Sequence, residues 1–221
     1  MQDLSENTFV RKFPAGLDPP SRSSTADAGW VSYDFELITP MLGGGAETKK
    51  QDAYWFRPSA IRGALQHWWR LLHDETNAQV LRDEQRRIWG CEKRAGLVDI
   101  SVQVTNVPTV GVVGTHNHKG GFRFPNYPYA LFGFKPEGND IPKWVEPGCK
   151  FTLHLRCRGE SEPSVTRAIK AWANFGGMGA RTRRGFGAVY SEKLAFTDQV
   201  EIEHFISESP RSSACLLYTS P

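Results

Sequence analysis

One stretch constrains the chain more than any other: Asn174-Phe-Gly-Gly-Met-Gly-Ala-Arg-Thr-Arg-Arg-Gly-Phe-Gly187, where five glycines alternate with three arginines. Glycine reaches positive φ without steric cost and lets another backbone come close. Gly176, Gly177, Gly179, Gly185 and Gly187 therefore predict a tight, bare loop. Arg181, Arg183 and Arg184 flank Thr182 and keep their charge, and their planar forks match phosphate geometry. Two readings are open at this point: a loop shaped to hold an anionic backbone, or a glycine-rich turn with solvated arginines. A P-loop is excluded, because Phe186 follows Gly185 where Lys and then Ser or Thr are needed. A dinucleotide fingerprint joins a strand to a helix start, whereas this loop is expected to follow a helix and lead into a strand. The order favours a polymeric phosphate backbone over a small nucleotide.

The chain has 221 residues, 39% of them hydrophobic and 23% charged, as in water-soluble globular proteins, and is long enough to bury a core. Its net charge of +3 says little about partners. Between Lys150 and Arg184, however, eight Lys or Arg stand against two Glu, a local charge of +6 and a candidate electrostatic footprint. Cys91, Cys149, Cys157 and Cys215 form no CxxC pair, so no structural zinc site, metal or other cofactor is expected. The first residues show no secretory pattern and no apolar run reaches the roughly 20 residues that span a bilayer. A cytoplasmic protein with no membrane partner is the expectation.

In chain order, residues 1–28 are rich in Pro and Ser and read as a flexible arm. Alternation predicts a strand from Trp30 to Ile38, ended by Pro40, and Gly43, Gly44 and Gly45 open a polar loop of the kind that contacts ligands. Pro58 begins a helix whose apolar stripe is Ile61, Ala64, Leu65, Trp68 and Leu72. Gly63 inside it is read as a point of close packing. A charged helix from about Asn77 to Ile88, a strand from Leu97 to Val107, a strand from Cys149 to Arg158, a helix opened by Pro163 and a strand from Phe186 to Leu194 follow. This order predicts an α+β, ferredoxin-like (RRM-like) βαββαβ domain over 29–195 with a long ordered insertion, about 107–148, between its second and third strands. Residues 196–221 are read as a poorly defined tail.

Ile38-Thr-Pro-Met-Leu-Gly-Gly-Gly-Ala46, Phe56-Arg-Pro-Ser-Ala-Ile-Arg-Gly-Ala-Leu-Gln-His-Trp-Trp-Arg70 and Gly176–Gly187 together resemble the RAMP superfamily of CRISPR proteins. The triple glycine and Trp68-Trp69-Arg70 are most similar to the first-subunit family of the type III-B Cmr effector complex. The resemblance covers residues 30 to 194. It implies a non-enzymatic, RNA-binding subunit in antiviral defence, with CRISPR guide RNA, target RNA or both, and other Cmr subunits, as partners. Relatives of this kind usually carry a second ferredoxin-like half, which is not found here and suggests a fragment or a reduced variant.

On that reading Arg57 and Arg62 reach phosphates at the first helix start, where the helix dipole adds positive potential. Ser59 either caps the helix or donates to phosphate. Trp68 is expected in the core, and Trp69 either there or stacked on a base. The runner-up is a metal-independent, guide-processing endoribonuclease using His116, His118 and Lys119, with histidine as general acid or base. A third reading is a protein–protein adaptor docking through the aromatic stretch 122–144.

Overall fold

The computed structural model describes residues 29–43, 56–106, 108–116, 121–123, 129–131 and 143–208. The expected arm over 1–28, Gly44, Gly45, His118, Lys119 and the last part of the tail lie outside them. In chain order the first elements are β1 (Trp30–Leu37), β2 (Met41–Leu42), α1 (Pro58–Leu72), α2 (Ala78–Trp89) and β3 (Val98–Val104). Four short strands follow: β4 (Val110–Val112), β5 (Thr115–His116), β6 (Phe122–Arg123) and β7 (Lys143–Val145). The chain then forms β8 (Lys150–Cys157), α3 (Glu162–Phe175), β9 (Val189–Tyr190) and α4 (Gln199–Ser207).

The principal sheet is antiparallel with strand order β3-β8-β1-β9. Alternation along β1 and β8 sends Phe35, Leu37, Phe151, Leu153 and Leu155 to one face, where they meet Ile61, Leu65, Trp69 and Leu72 of α1 and Val165, Ile169 and Trp172 of α3. Phe35 stacks on Phe151 at 5.2 Å, and Phe56, just before α1, packs on the same ring at 4.8 Å. Trp69 is 2% exposed, so it is a core residue and not a base-stacking one. Its indole N–H, like that of Trp89, has no hydrogen-bond partner among the described residues. An unmade bond costs about 1–3 kcal/mol, whereas burying an indole of about 150–250 Å² contributes about 4–6 kcal/mol. Apolar burial wins.

Local chemistry sets the helix ends. Pro58 occupies the first helical position of α1, whose cap is Arg57 with no side-chain hydrogen bond. Ser59 therefore lies inside the first turn and does not cap it. In α2 the Asn77 side chain accepts from the backbone N–H of Gln79 and Val80. Arg62 ties the two helices to the sheet, donating to the Trp89 carbonyl at 2.8 Å and the Val98 carbonyl at 3.1 Å. Gly63 is exposed, and a methyl group there would meet nothing within 4 Å, so it does not mark close packing.

Three features differ from the pattern read in the sequence. The strand expected over Phe186–Leu194 shrinks to Val189–Tyr190, because Phe186 packs elsewhere and a turn from Ser191 to Leu194 follows. A second antiparallel sheet, β2-β7-β4, carries its own small core of Leu42, Val113, Leu131, Trp144 and Phe186. The third difference is α4, within the stretch read as an undefined tail; Asp198 caps it, and Phe205 is buried against the main core beside Phe196. Lys170 of α3 donates to the Glu201 carboxylate, which also accepts from the Thr197 backbone N–H (2.9 Å) and hydroxyl (3.0 Å).

The Lys170 contact first, and then the two from Thr197, hold the Glu201 carboxyl at about 2, below its ordinary 4.5. A folded-state pKa below the unfolded one stabilises the fold at pH above the unfolded value, and the effect is lost as pH falls through the folded value. Comparing melting temperatures of the wild type and Glu201→Gln across pH is therefore expected to show a difference that is constant above about pH 5. That difference should shrink between about pH 4.5 and pH 2.

Candidate nucleic-acid interface

The glycine-arginine loop leaves α3 at Gly176, whose N–H bonds the Trp172 carbonyl, while the Trp172 indole donates to the Gly177 carbonyl at 3.1 Å. It then runs along the segment joining β1 to β2. Ala180 N–H donates to the Leu42 carbonyl (2.6 Å), Gly187 N–H to the Pro40 carbonyl (2.9 Å) and Met178 N–H to the Gly187 carbonyl (2.8 Å). Such close backbone approach requires the absence of side chains. A Cβ on Gly179 would lie 2.3 Å from the Leu42 carbonyl oxygen, one on Gly187 1.8 Å from that of Met178, and one on Gly177 2.9 Å from that of Gly187. These glycines serve the chain's own packing. Gly185, at φ +81°, faces open space instead.

What the loop presents outward is a short turn. Thr182–Arg184 form a 3-10 turn held between Arg181 (φ 61°, ψ 31°) and Gly185 (φ 81°, ψ 8°), both left-handed. Arg181 is the only non-glycine residue with positive φ among the described residues, a conformation that costs of order 1 kcal/mol and is held here by the surrounding bonds. Arg183, Arg184 and Gly185 are exposed, and Arg181 and Thr182 are half-buried.

Salt bridges redraw the basic region. Lys150 pairs with Glu36 (3.7 Å), Arg156 and Arg158 with Asp99 (2.7 and 3.2 Å), Arg167 with Glu208 (3.9 Å) and Lys170 with Glu201. Five of the eight cations are thus paired with four carboxylates distant in sequence, Arg156 and Arg158 sharing Asp99. Among the described residues no carboxylate lies in ion-pair range of Arg183 or Arg184. Within the stretch from Lys150 to Arg184, the turn therefore keeps positive charge that its neighbours share with carboxylates. The sheet's face away from the helices is also engaged: the Ser32 hydroxyl and His154 Nδ1 are hydrogen-bonded at 2.8 Å, and Thr152 donates to Asp34 at 2.7 Å. RRM-type sheets stack bases on aromatic rings at that face; here polar cross-strand pairs share it with Trp30, which lies under the Arg156 guanidinium, and with Tyr190.

The turn lies beside α1 and Gly43. Leu42 and Ala180 form a β-bridge, and a Cβ on Gly43 would touch the Ala180 methyl at 3.6 Å. Ser59, Gly63 and His67 recur every fourth residue along the exposed side of α1, with Arg70 on the same stripe. Burial, then the charges of Arg70 and Arg183, pull the His67 pKa below the ordinary imidazole value. A neutral imidazole next to cations offers an acceptor nitrogen, suited to a ribose hydroxyl. The spacing of His67 was visible in the sequence, but its neighbour Arg183 was not. Arg57 Nε is buried without a hydrogen-bond partner among the described residues. Arg62 does not join the group, its guanidinium being committed to the Trp89 and Val98 carbonyls. Of the runner-up set only the backbone of His116, in β5, is described. Among the described residues no three His, Cys, Asp or Glu converge as a metal site, and no helix is long and apolar enough to cross a membrane.

The RAMP superfamily profile matches residues 34–190. Cmr1-2, a Cmr subunit of the CRISPR system of Pyrococcus furiosus, is 24% identical over 184 residues, covering 73% of this chain and 95% of that protein. The crystal structure of apo Cmr1 from Pyrococcus furiosus superposes with a TM-score of 0.63 at 21% identity, over 85% of this chain, and the chain spans 60% of the Cmr1 structure. A chain in the type III-B Cmr-beta complex bound to cognate target RNA is similar at a TM-score of 0.48 and 17% identity, over 74% of this chain and 58% of that one.

Two glycines of the loop separate conformational strain from steric exclusion. Gly185→Ala adds only the left-handed cost, about 1–2 kcal/mol. Gly187→Ala has a similar φ of +70° and also drives a methyl into the Met178 carbonyl, so a loss of about 3 kcal/mol or more is expected. Urea unfolding of the two variants against wild type measures the difference.

Proposed function

The chain belongs to the RAMP superfamily, and on that premise we propose that it is a non-catalytic RNA-binding subunit of a type III-B (Cmr) CRISPR ribonucleoprotein in antiviral defence. Its partners on this reading are guide RNA, target RNA or both, together with other Cmr subunits. The principal sheet, α1 and α3 form a ferredoxin-like unit, and the stretch from β4 to β7 is an insertion between its second and third strands. The observation that carries the function is the outward turn, where Arg183 and Arg184 stand exposed, with no carboxylate in range among the described residues, on a backbone pinned to the rest of the fold.

Arg183 and Arg184 contact backbone phosphates, with Arg181, Thr182 and Gly185 shaping the turn and Gly43 bordering it. Arg57 and Ser59 extend the contact to the start of α1, which has no acidic residue in its first turn. Gly176, Gly177 and Gly179 act by letting the loop fold closely, and the Gly44-Gly45 segment continues the same edge. Contacts to phosphate supply affinity without reading bases; sequence is read by pairing between guide and target. The resemblance to a subunit of a multi-protein complex supports the assembly, as does the similarity to Cmr1-2.

Single-stranded RNA binding measured across a salt series tests this. Replacing both Arg183 and Arg184 by alanine is expected to reduce the slope of log affinity against log salt by about 1.4, at about 0.7 per phosphate contact. An unchanged slope removes the turn from the interface. Incubating the same protein with labelled repeat RNA in EDTA is expected to give binding without discrete cleavage; cleavage lost in His116→Ala or His118→Ala would establish the nuclease instead.

A further inference from the structure

We propose that Tyr129 is a stacking platform for an unpaired RNA base, working as one unit with Arg183 and Arg184; the inference rests on the RNA-binding reading above. Tyr129 is 81% exposed, the most exposed large side chain among the described aromatic and aliphatic residues. The Arg184 guanidinium carbon lies 5.0 Å from its ring centroid, within the range of a cation–π contact. With that cation on the ring and most of its surface in water, a flat aromatic face remains beside Arg184, which like its chain neighbour Arg183 has no carboxylate partner among the described residues.

Both halves of the pair are anchored in the same small core. Tyr129 and Ala130 belong to a turn that ends in Leu131, which is fully buried, and Ala130 packs against the same cluster. Phe186, two residues after Arg184, is buried in that cluster with Leu42, Val113 and Trp144. The ring is thus presented rather than merely exposed: Ala130 and Leu131 after it are packed in that core, and tyrosine has only two side-chain torsions to order. Tyrosine and arginine serve protein docking as well, but a ring under the Arg184 guanidinium, beside cations without carboxylates among the described residues, favours an anionic partner. A cationic track joined to an aromatic face is the combination that holds single-stranded nucleic acid, with phosphates on the cations and a base on the ring. Duplex RNA keeps its bases stacked inside and offers the ring nothing. The ligand class is therefore single-stranded RNA, with no preference for a particular base.

The test is fluorescence anisotropy with a labelled single-stranded oligoadenylate, the same strand carrying abasic sites, and a blunt RNA duplex, using the full chain. Tyr129→Ala is expected to weaken oligoadenylate binding roughly 5- to 150-fold with no change in salt slope, and to leave the abasic strand and the duplex unaffected. Tyr129→Phe and Tyr129→Trp are expected to retain binding. Equal loss in Tyr129→Ala and Tyr129→Phe overturns stacking in favour of the hydroxyl. If Tyr129→Ala binds oligoadenylate like wild type while the Arg183 and Arg184 variant binds weakly, stacking fails and the RNA-binding reading stands. If the arginine variant is also unchanged, both fail. Loss of a partner subunit from the Tyr129→Ala protein with RNA binding intact overturns the inference in favour of protein docking.

Discussion

The hydrogen bonds between the loop after α3 and the segment joining β1 to β2 hold the rest in place. The N–H of Ala180 to the Leu42 carbonyl, of Gly187 to the Pro40 carbonyl and of Ile38 to the Ala188 carbonyl stitch one backbone against another, and Gly179 and Gly187 keep side chains out of the way. Because the stitched segment leads into both sheets, the loop joins the principal sheet to the smaller one. The arginine turn is consequently displayed on a rigid frame. An arginine held in place loses less entropy on meeting a phosphate than one on a mobile arm.

Charge is distributed by the same logic of place. Ion pairs such as Arg156 with Asp99 and Lys170 with Glu201 sit on cross-strand or helix–helix contacts, where they help to align elements and cancel much of the field seen in the linear sequence. Surface ion pairs are worth little to stability, but they remove a cation from competition for RNA. Of the basic stretch 150–184, Arg183 and Arg184 are exposed cations with no carboxylate in ion-pair range among the described residues, and a small net charge of +3 is compatible with a local positive site.

The aromatic residues divide in a related way. Trp68, Trp69, Trp89 and Trp172 fill the main core, Trp144 and Phe186 the smaller one, and Tyr129 faces water. Large rings are the most effective means of burying area in a domain of this size, so an aromatic residue in a helix stripe belongs by default to the core. Among the described residues Tyr129 is the most exposed ring, and it stands beside the Arg184 guanidinium.

Strong periodicity made β1, β3, β8, α1 and α3 readable from residue order, since one buried face imposes a period of two or 3.6 whatever the partner. The glycine-arginine loop was readable for similar reasons, because only glycine tolerates both positive φ and backbone contact. Other features depend on residues far apart in sequence. The apolar residues from Phe186 to Leu194 resemble one strand, yet Phe186 serves the second core, Val189 the sheet and Leu194 the underside of α3. α4 is short, and the Phe196–Phe205 contact together with Lys170 and Arg167 of α3 decides its docking. Residue order determined the elements, the bend and the presence of arginines; the tertiary structure alone decided which glycines face protein and which water, and which cations meet a carboxylate, because such contacts join groups that are not neighbours in the chain, as Lys170 with Glu201 and Gly179 with Leu42.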